Sequence, residues 1–228
     1  MNETAPVVVV AHFELADACE QNADAFEKAF AQYWDYCADQ DGFLRALLLR
    51  SPDSLGSQVI LTEWRDALAY KAAVSSPAFY VCAGAELLDL ADLDNDHGKV
   101  LAAAGGGGQD GGGGGQDAGG GGQDGGGGGP RCVLTTYTLR EGAAAGELER
   151  ALGAELGDVA RQPGFSRGSV IASARRAGRY TAVVRTEDAA RAVARLSAAR
   201  ADADHVTRVY DVIAQSPAPA AENGTAAR

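Results

Sequence analysis

The stretch that decides the fold is Asp41–Tyr80, DGFLRALLLRSPDSLGSQVILTEWRDALAYKAAVSSPAFY. Asp41-Gly42 is a breaker pair, Leu44 to Arg50 is an apolar run of strand length, and Ser51 to Gly56 is turn material. Gln58 to Trp64 reads as the partner strand, closed by Trp64. Asp66 then stands where a helix N-cap belongs, ahead of a short helix carrying Tyr70. Two strands, a tight connection and a helix make an antiparallel pair with one covered face.

Upstream, Val7 to Phe13 is β-branched and of strand length. Val8, Val10 and His12 share one face, and Val7, Val9, Ala11 and Phe13 share the other. Asp17 followed by Glu20 resembles a capping box, and Phe26, Phe30, Tyr33 and Cys37 recur at the spacing of an amphipathic helix that ends before Gly42. Downstream, Ser75 to Tyr80 breaks the pattern, and Glu86 to Leu93 alternates as a fourth strand would. The order β-α-β-β-α-β is the ferredoxin-like unit, an antiparallel sheet with its helices on one face.

The same order returns after residues 105–129, which are glycine blocks separated by Gln-Asp. Such a composition cannot bury apolar surface, so it reads as a flexible linker with a reach of about 25–30 Å. Cys132 to Leu139 is the next strand, Leu148, Leu152, Leu156 and Val159 mark one helix face, and Tyr180 to Arg185, Glu187 to Ala199 and Arg208 to Ile213 complete the set. Gly42 to Asp66 aligns without a gap on Gly164 to Asp188 at an offset of 122 residues. This is an internal duplication. The expected fold class is α+β: two ferredoxin-like units in tandem, residues 1–104 and 130–215, packing as an intramolecular dimeric α+β barrel, with 216–228 as a disordered tail. A linker keeps the two halves at high effective concentration, so the pair is an intramolecular pseudo-dimer, and a further homo-oligomer is left open.

The formal net charge is −11 over 228 residues, which argues against nucleic acid or an anionic membrane surface as partner. Four widely spaced cysteines without a CxxC pair suggest neither a zinc site nor a disulfide framework. No apolar run reaches the length of a membrane span, and the start of the chain lacks a basic n-region, so a cytoplasmic protein is expected. Asp92 to Gly98, DLDNDHG, fails as a calcium loop: its glycine falls at the seventh position, and Ala103 stands where a bidentate Glu is required. It reads as a solvated run leading into the linker.

Gly42-Phe43, the strand pair ending in Thr62-Glu63-Trp64 and Tyr70 six residues on resemble the antibiotic biosynthesis monooxygenase family of dimeric α+β barrel proteins. The resemblance covers residues 5 to 95 well and 131 to 214 weakly. It implies cofactor-independent oxidation, by molecular oxygen, of a polycyclic aromatic polyketide, a phenol or anthrone converted to a quinone. Trp64 and Tyr70 sit where the family places a strand-end tryptophan and a pocket tyrosine. The chain also departs from the pattern, since the family often has an asparagine four residues before the Trp and here that position is Ile60. The helix after the Trp holds no histidine, which disfavours the haem-degrading relatives.

Oxygenation of this kind needs a substrate that is itself the reductant, a flat apolar pocket, a donor for the developing oxyanion and a proton acceptor. Trp64, Tyr70 and His12 are the candidate catalytic residues: a ring to stack, a hydroxyl to hold an oxygen, and an imidazole to move a proton. Tyr33, Phe79 and Tyr80 are candidate substrate contacts. Each has a plainer reading: Trp64 as a core plug, Tyr70 as a helix residue with a wet hydroxyl, His12 as an ordinary strand histidine, Tyr33 as packing against the sheet. A polyketide cyclase on the same scaffold and a non-catalytic binding subunit are the alternatives. The second half has Thr186 and Ala192 where the first has Trp64 and Tyr70, so a single working pocket is expected in the N-terminal half.

Overall fold

The computed structural model describes residues 5–81, 85–105, 130–198, 200 and 202–215. The expected linker from residue 106 onward, the tail from 216 and Cys82 lie outside the described residues. The first repeat comprises β1 (Val7–Leu15), α1 (Glu20–Ala38), β2 (Phe43–Ser51), β3 (Ser54–Trp64), α2 (Ala67–Val74), α3 (Pro77–Phe79), α4 (Ala85–Leu90) and β4 (Ala91–Gly105). The second comprises β5 (Arg131–Leu139), α5 (Ala145–Ala160), β6 (Phe165–Ser173), β7 (Arg179–Thr186), α6 (Ala189–Leu196) and β8 (Ala203–Gln215). Hydrogen bonding orders the strands β1-β3-β2-β8-β5-β7-β6-β4 in a closed barrel, so each repeat contributes four strands in the same relative order. The fold is the α+β tandem of ferredoxin-like units that the duplication implied.

Two compact units divide the chain. Of the described residues, the first holds those up to Val100, the turn Ser173–Ala177 and Val212 to Gln215; the second holds those from Leu101 to Ala172 and from Gly178 to Asp211. Strand ends therefore belong to the unit opposite their own sequence repeat: Ile213 and Ala214 pack in the first unit's core, and Leu101, Ala102 and Ala104 in the second's.

In the first unit β1 is central, paired antiparallel to β3 on one side and β4 on the other. Its two faces are buried as well, since the consecutive residues Val7, Val8, Val9 and Val10 are all buried, which accounts for the β-branched run. Phe26, Phe30 and Cys37 of α1 are buried as their spacing dictates, and Phe26 meets Phe13 edge-on at 5.0 Å between ring centroids. The β2–β3 connection is tighter than the turn residues alone suggested, with Ser51 already paired to Ser54. Gly42 has φ 80°, a left-handed conformation, and a Cβ there would lie 2.5 Å from the Ala69 Cβ, so both its backbone angle and its neighbour require glycine.

Three local expectations are corrected. Glu86 to Leu90 is not strand: α4 spans Ala85–Leu90 with Leu87 buried, and β4 begins at Ala91. Asp92 to Gly98 is not a solvated lead-in but the body of β4, in register with Val8–Glu14 of β1. Pairing along a central strand overrides the low intrinsic strand preference of Asp, Asn and Gly. The Asp17–Glu20 capping box does not form, because α1 starts at Glu20 behind Cys19, which makes no side-chain cap.

In the second unit Leu148, Leu152, Leu156 and Val159 of α5 are buried against Val133, Val170, Ala182 and Val184 of its sheet. Asp188 caps α6 by accepting from the Arg191 backbone N–H at 3.0 Å.

Candidate active site in the first unit

Alternation along β1 sends Val9, Ala11 and Phe13 to the helix-facing side of the sheet. These three side chains form the floor of a cavity of about 230 Å³. Antiparallel pairing places Ile60 of β3 and Asn95 of β4 directly beside Ala11 on that same floor. Tyr33 of α1, Tyr70 and Val74 of α2, Phe79 of α3, and Leu87 and Leu88 of α4 build the walls, and Leu93 completes the β4 side. The lining is aliphatic and aromatic, interrupted by the hydroxyls of Tyr33 and Tyr70 and the amide of Asn95.

Asp66 positions Tyr70. Its carboxylate accepts from the Ala69 N–H at 2.8 Å and fixes the first turn of α2, and that backbone bond, with the neighbouring Arg65, holds its carboxyl below the usual range. Tyr70 packs between two rings, Trp64 at 5.9 Å and His97 at 5.6 Å. Burial pushes its phenol above the ordinary value, with the Arg175 guanidinium working the other way. The hydroxyl is therefore protonated at neutral pH and available as a donor.

Tyr33 is held in the same state more strongly. Burial is the main cause of its raised pKa, and its hydroxyl bonds the side chains of Cys37 and Thr62. Cys37 is itself pushed up to about 12 by burial, so this neighbour is a neutral thiol rather than a reactive thiolate. Phe79 meets Tyr33 at 6.2 Å and Tyr36 at 5.8 Å, and the Tyr36 hydroxyl donates to the Ala73 carbonyl at 2.8 Å, which ties α1 to α2 over the cavity.

Of the residues singled out from the sequence, Tyr70, Tyr33 and Phe79 come together on the cavity wall. Trp64 stands behind Tyr70. It is fully buried, its indole N–H donates to Thr62 Oγ1 at 3.0 Å, and it packs on Phe43 at 5.3 Å. Tyr80 is 66% exposed and stands outside the lining. His12 projects from the face of β1 opposite Val9, Ala11 and Phe13, so the structure does not bring it to the cavity.

His97, which sequence reasoning passed over, is paired with Val9 and so lies on the cavity side of β4. Burial lowers its pKa, Asp96 opposes that, and Arg175 and Lys71 reinforce it. A neutral imidazole next to Tyr70 is a competent proton acceptor. Asn95 was missed for the same reason, since both lie in the polar run assigned to a solvated lead-in. Alternation within that run, with Leu93, Asn95 and His97 on one side and Asp94 and Asp96 on the other, was the available signal. Among the described residues no group of three or more His, Cys, Asp or Glu side chains is arranged to hold a metal ion, and no helix is long and apolar enough to cross a membrane.

Comparisons with known proteins bear on the fold and the family. Among curated proteins none matches the sequence. Solved structures match over nearly the whole chain. A Fusobacterium nucleatum protein is 14% identical, with 94% of this chain and 95% of that one covered and a TM-score of 0.69. An anthrone oxidase-like protein is 16% identical, with 94% of each chain covered and a TM-score of 0.61. At these identities the likeness establishes the fold, two units in one chain. SnoaB, a cofactor-independent oxygenase from Streptomyces nogalater, is 29% identical over 41% of this chain and 90% of its own, with a TM-score of 0.38. The antibiotic biosynthesis monooxygenase model matches residues 6–84, the span that holds Tyr33, Trp64, Tyr70 and Phe79. The first repeat of this chain thus belongs to the antibiotic biosynthesis monooxygenase family, and the second repeats its fold.

Proposed function

We propose that this chain is a cofactor-independent monooxygenase that converts a phenol or anthrone ring of a polycyclic aromatic polyketide to a quinone with molecular oxygen. The observation that carries the reading is the cavity of the first unit, an apolar slot bearing two protonated phenols, with a neutral imidazole packed at a tilt against one of them. Its volume of about 230 Å³ falls just under the roughly 300–1,000 Å³ of pockets for drug-sized ligands, which suits a compact planar ring system.

The chemistry divides into steps these groups can serve. A proton leaves the acidic C–H or O–H of the substrate, and His97, on the cavity side of β4 against Tyr70 though outside the lining itself, is the acceptor assigned the role expected of His12. Tyr70 donates to the ring oxygen as negative charge develops on it. The anion passes one electron to O2, and the two radicals combine to form a C–O bond. Protonation gives a ring hydroperoxide, and loss of water leaves a carbonyl. One oxygen atom enters the product and the other leaves as water, so anthrone and O2 give anthraquinone and H2O. Val9, Ala11, Phe13 and Ile60 exclude water from the anion, which strengthens each polar contact. Trp64 acts through Tyr70, as the packed support that fixes its ring.

The test is oxygen uptake by purified protein freed of metal and flavin and supplied with anthrone. One O2 consumed per anthrone, with one atom of labelled 18O2 in the quinone, supports the reading. Anthrone left unoxidised while a linear polyketide is cyclised would sink it in favour of a cyclase.

A further inference from the structure

The turn Ser173–Ala177, SARRA, belongs to the second sequence repeat but to the first structural unit. It is tied along β4. Ser173 Oγ donates to Asp96 Oδ1 at 2.7 Å and accepts from the backbone N–H groups of Arg175 at 3.2 Å and Arg176 at 2.9 Å. The Ala174 N–H donates to the His97 carbonyl at 2.8 Å, and the Arg176 guanidinium pairs with Asp94 at 2.7 Å. Arg175 is thereby fixed over Asn95, where its Nη1 donates to the Asn95 backbone carbonyl at 2.7 Å and also to the side-chain Oδ1.

We infer that Asn95, aimed by Arg175, orients an aromatic ligand in the cavity through that ligand's ring-bound oxygen. A guanidinium only donates hydrogen bonds, so the amide atom turned toward Arg175 must be Oδ1. With Oδ1 turned toward Arg175, the amide presents Nδ2, with its two N–H donors, in the other direction. Asn95 lines the cavity beside Ala11, and a donor in an otherwise apolar floor discriminates between ligands by whether they carry an acceptor there. A carbonyl, hydroxyl or phenolate oxygen on the ring edge satisfies it, and an unoxygenated hydrocarbon does not. The nearby positive charge polarises the amide and strengthens its N–H groups. Arg175 is thus a positioning residue, and the first repeat has no counterpart, since Asp53 stands at the aligned position.

This inference rests on the reading of the cavity as the substrate site, and its test reads binding without turnover. Affinities for 1-naphthol and for naphthalene are measured under argon by fluorescence titration of the full chain. Asn95→Leu is expected to weaken 1-naphthol binding about tenfold, the scale of one lost hydrogen bond, and to leave naphthalene within about twofold. Asn95→Asp still accepts from Arg175 yet has no donor for the ligand, so it should lose the 1-naphthol preference as well. Arg175→Ala, on an exposed turn, should reduce the preference by about threefold, and Arg175→Lys should recover part of it. A 1-naphthol to naphthalene ratio unchanged in Asn95→Asp and Arg175→Ala overturns the inference, as does an equal loss of both ligands. An intact ratio in a protein that takes up no oxygen with anthrone would leave the inference standing and remove the monooxygenase reading alone.

Discussion

At aligned positions the first repeat encloses a cavity and the second fills the corresponding space with paired polar side chains. Phe13 on the cavity floor corresponds to Tyr137, which is fully buried and whose hydroxyl donates to the Leu196 carbonyl at 2.7 Å. Tyr33 on the wall corresponds to Glu155, which is ion-paired with Arg200. Leu93 corresponds to His205, whose ring packs on Tyr137 at 6.0 Å. Burial raises the Tyr137 phenol and the Glu155 carboxyl above their ordinary values, as expected of groups withdrawn from water. One scaffold therefore supports two uses. Polar groups paired inside it fill the second repeat's interior, whereas in the first repeat an apolar space is left open beside the hydroxyls of Tyr33 and Tyr70 and the amide of Asn95. The second repeat still contributes to the site, through the arginine turn that packs in the first unit.

The comparison can be broken most severely at Trp64. The fully buried indole should cost about 3–5 kcal/mol when cut back in Trp64→Ala, whereas Thr186→Ala at the aligned position removes only a hydroxyl and should cost about 1 kcal/mol. Urea denaturation of both variants measures the difference, and near-equal midpoints would refute the role of Trp64 as core support. Next in size is Tyr70→Phe, expected to lower kcat for anthrone oxidation by about a hundredfold while the melting temperature stays near that of the parent, because the packed ring is kept. Tyr137→Phe is the counterpart in the filled unit. It leaves the Leu196 carbonyl without its donor, so about 1–2 kcal/mol of stability should be lost, with anthrone turnover unaffected.

The smallest effect concerns pH. Burial depresses the pKa of His97, so the imidazole is neutral down to below the usual value of about 6.5. Turnover should be flat through neutrality and decline only on a limb below pH ~6.5, as protonation removes the acceptor. His97→Gln should be slower and lack that limb. A limb centred above ~6.5 would assign the proton to another group. The same depression makes the folded state bind fewer protons than the unfolded chain. The stability His97 contributes is therefore present above ~6.5 and lost as pH falls through its folded-state value.

Legibility in the sequence followed the range of the interactions. Helix α1 was plain because Phe26, Phe30, Tyr33 and Cys37 carry its period, and α2 because Asp66 caps it. Tyr33, Tyr70 and Phe79 could be picked out because aromatic residues on such elements face the sheet. The α4–β4 boundary was misread because Leu87, Leu88 and Leu90 fit a short strand as well as a helical turn. The polar run after it was hidden because its strand character comes from partners. Asp94 and Asp96 are balanced by Arg176 and Ser173, which lie about 80 residues away in the chain.

The sequence by itself determined the duplication, the β-α-β-β-α-β skeleton common to both repeats, the glycine at position 42 and the aromatic content of the first helix, because each depends on a local period or a local backbone requirement. Tertiary structure alone decided that the imidazole near the cavity is His97 rather than His12, and that the floor carries the amide of Asn95 on one side of Ala11 and an apolar Ile60 on the other. It also decided that an arginine of the second repeat orients that amide. Those outcomes turn on the register of β1 against β4 and on which unit a distant turn joins, and neither is encoded in the spacing of neighbouring residues.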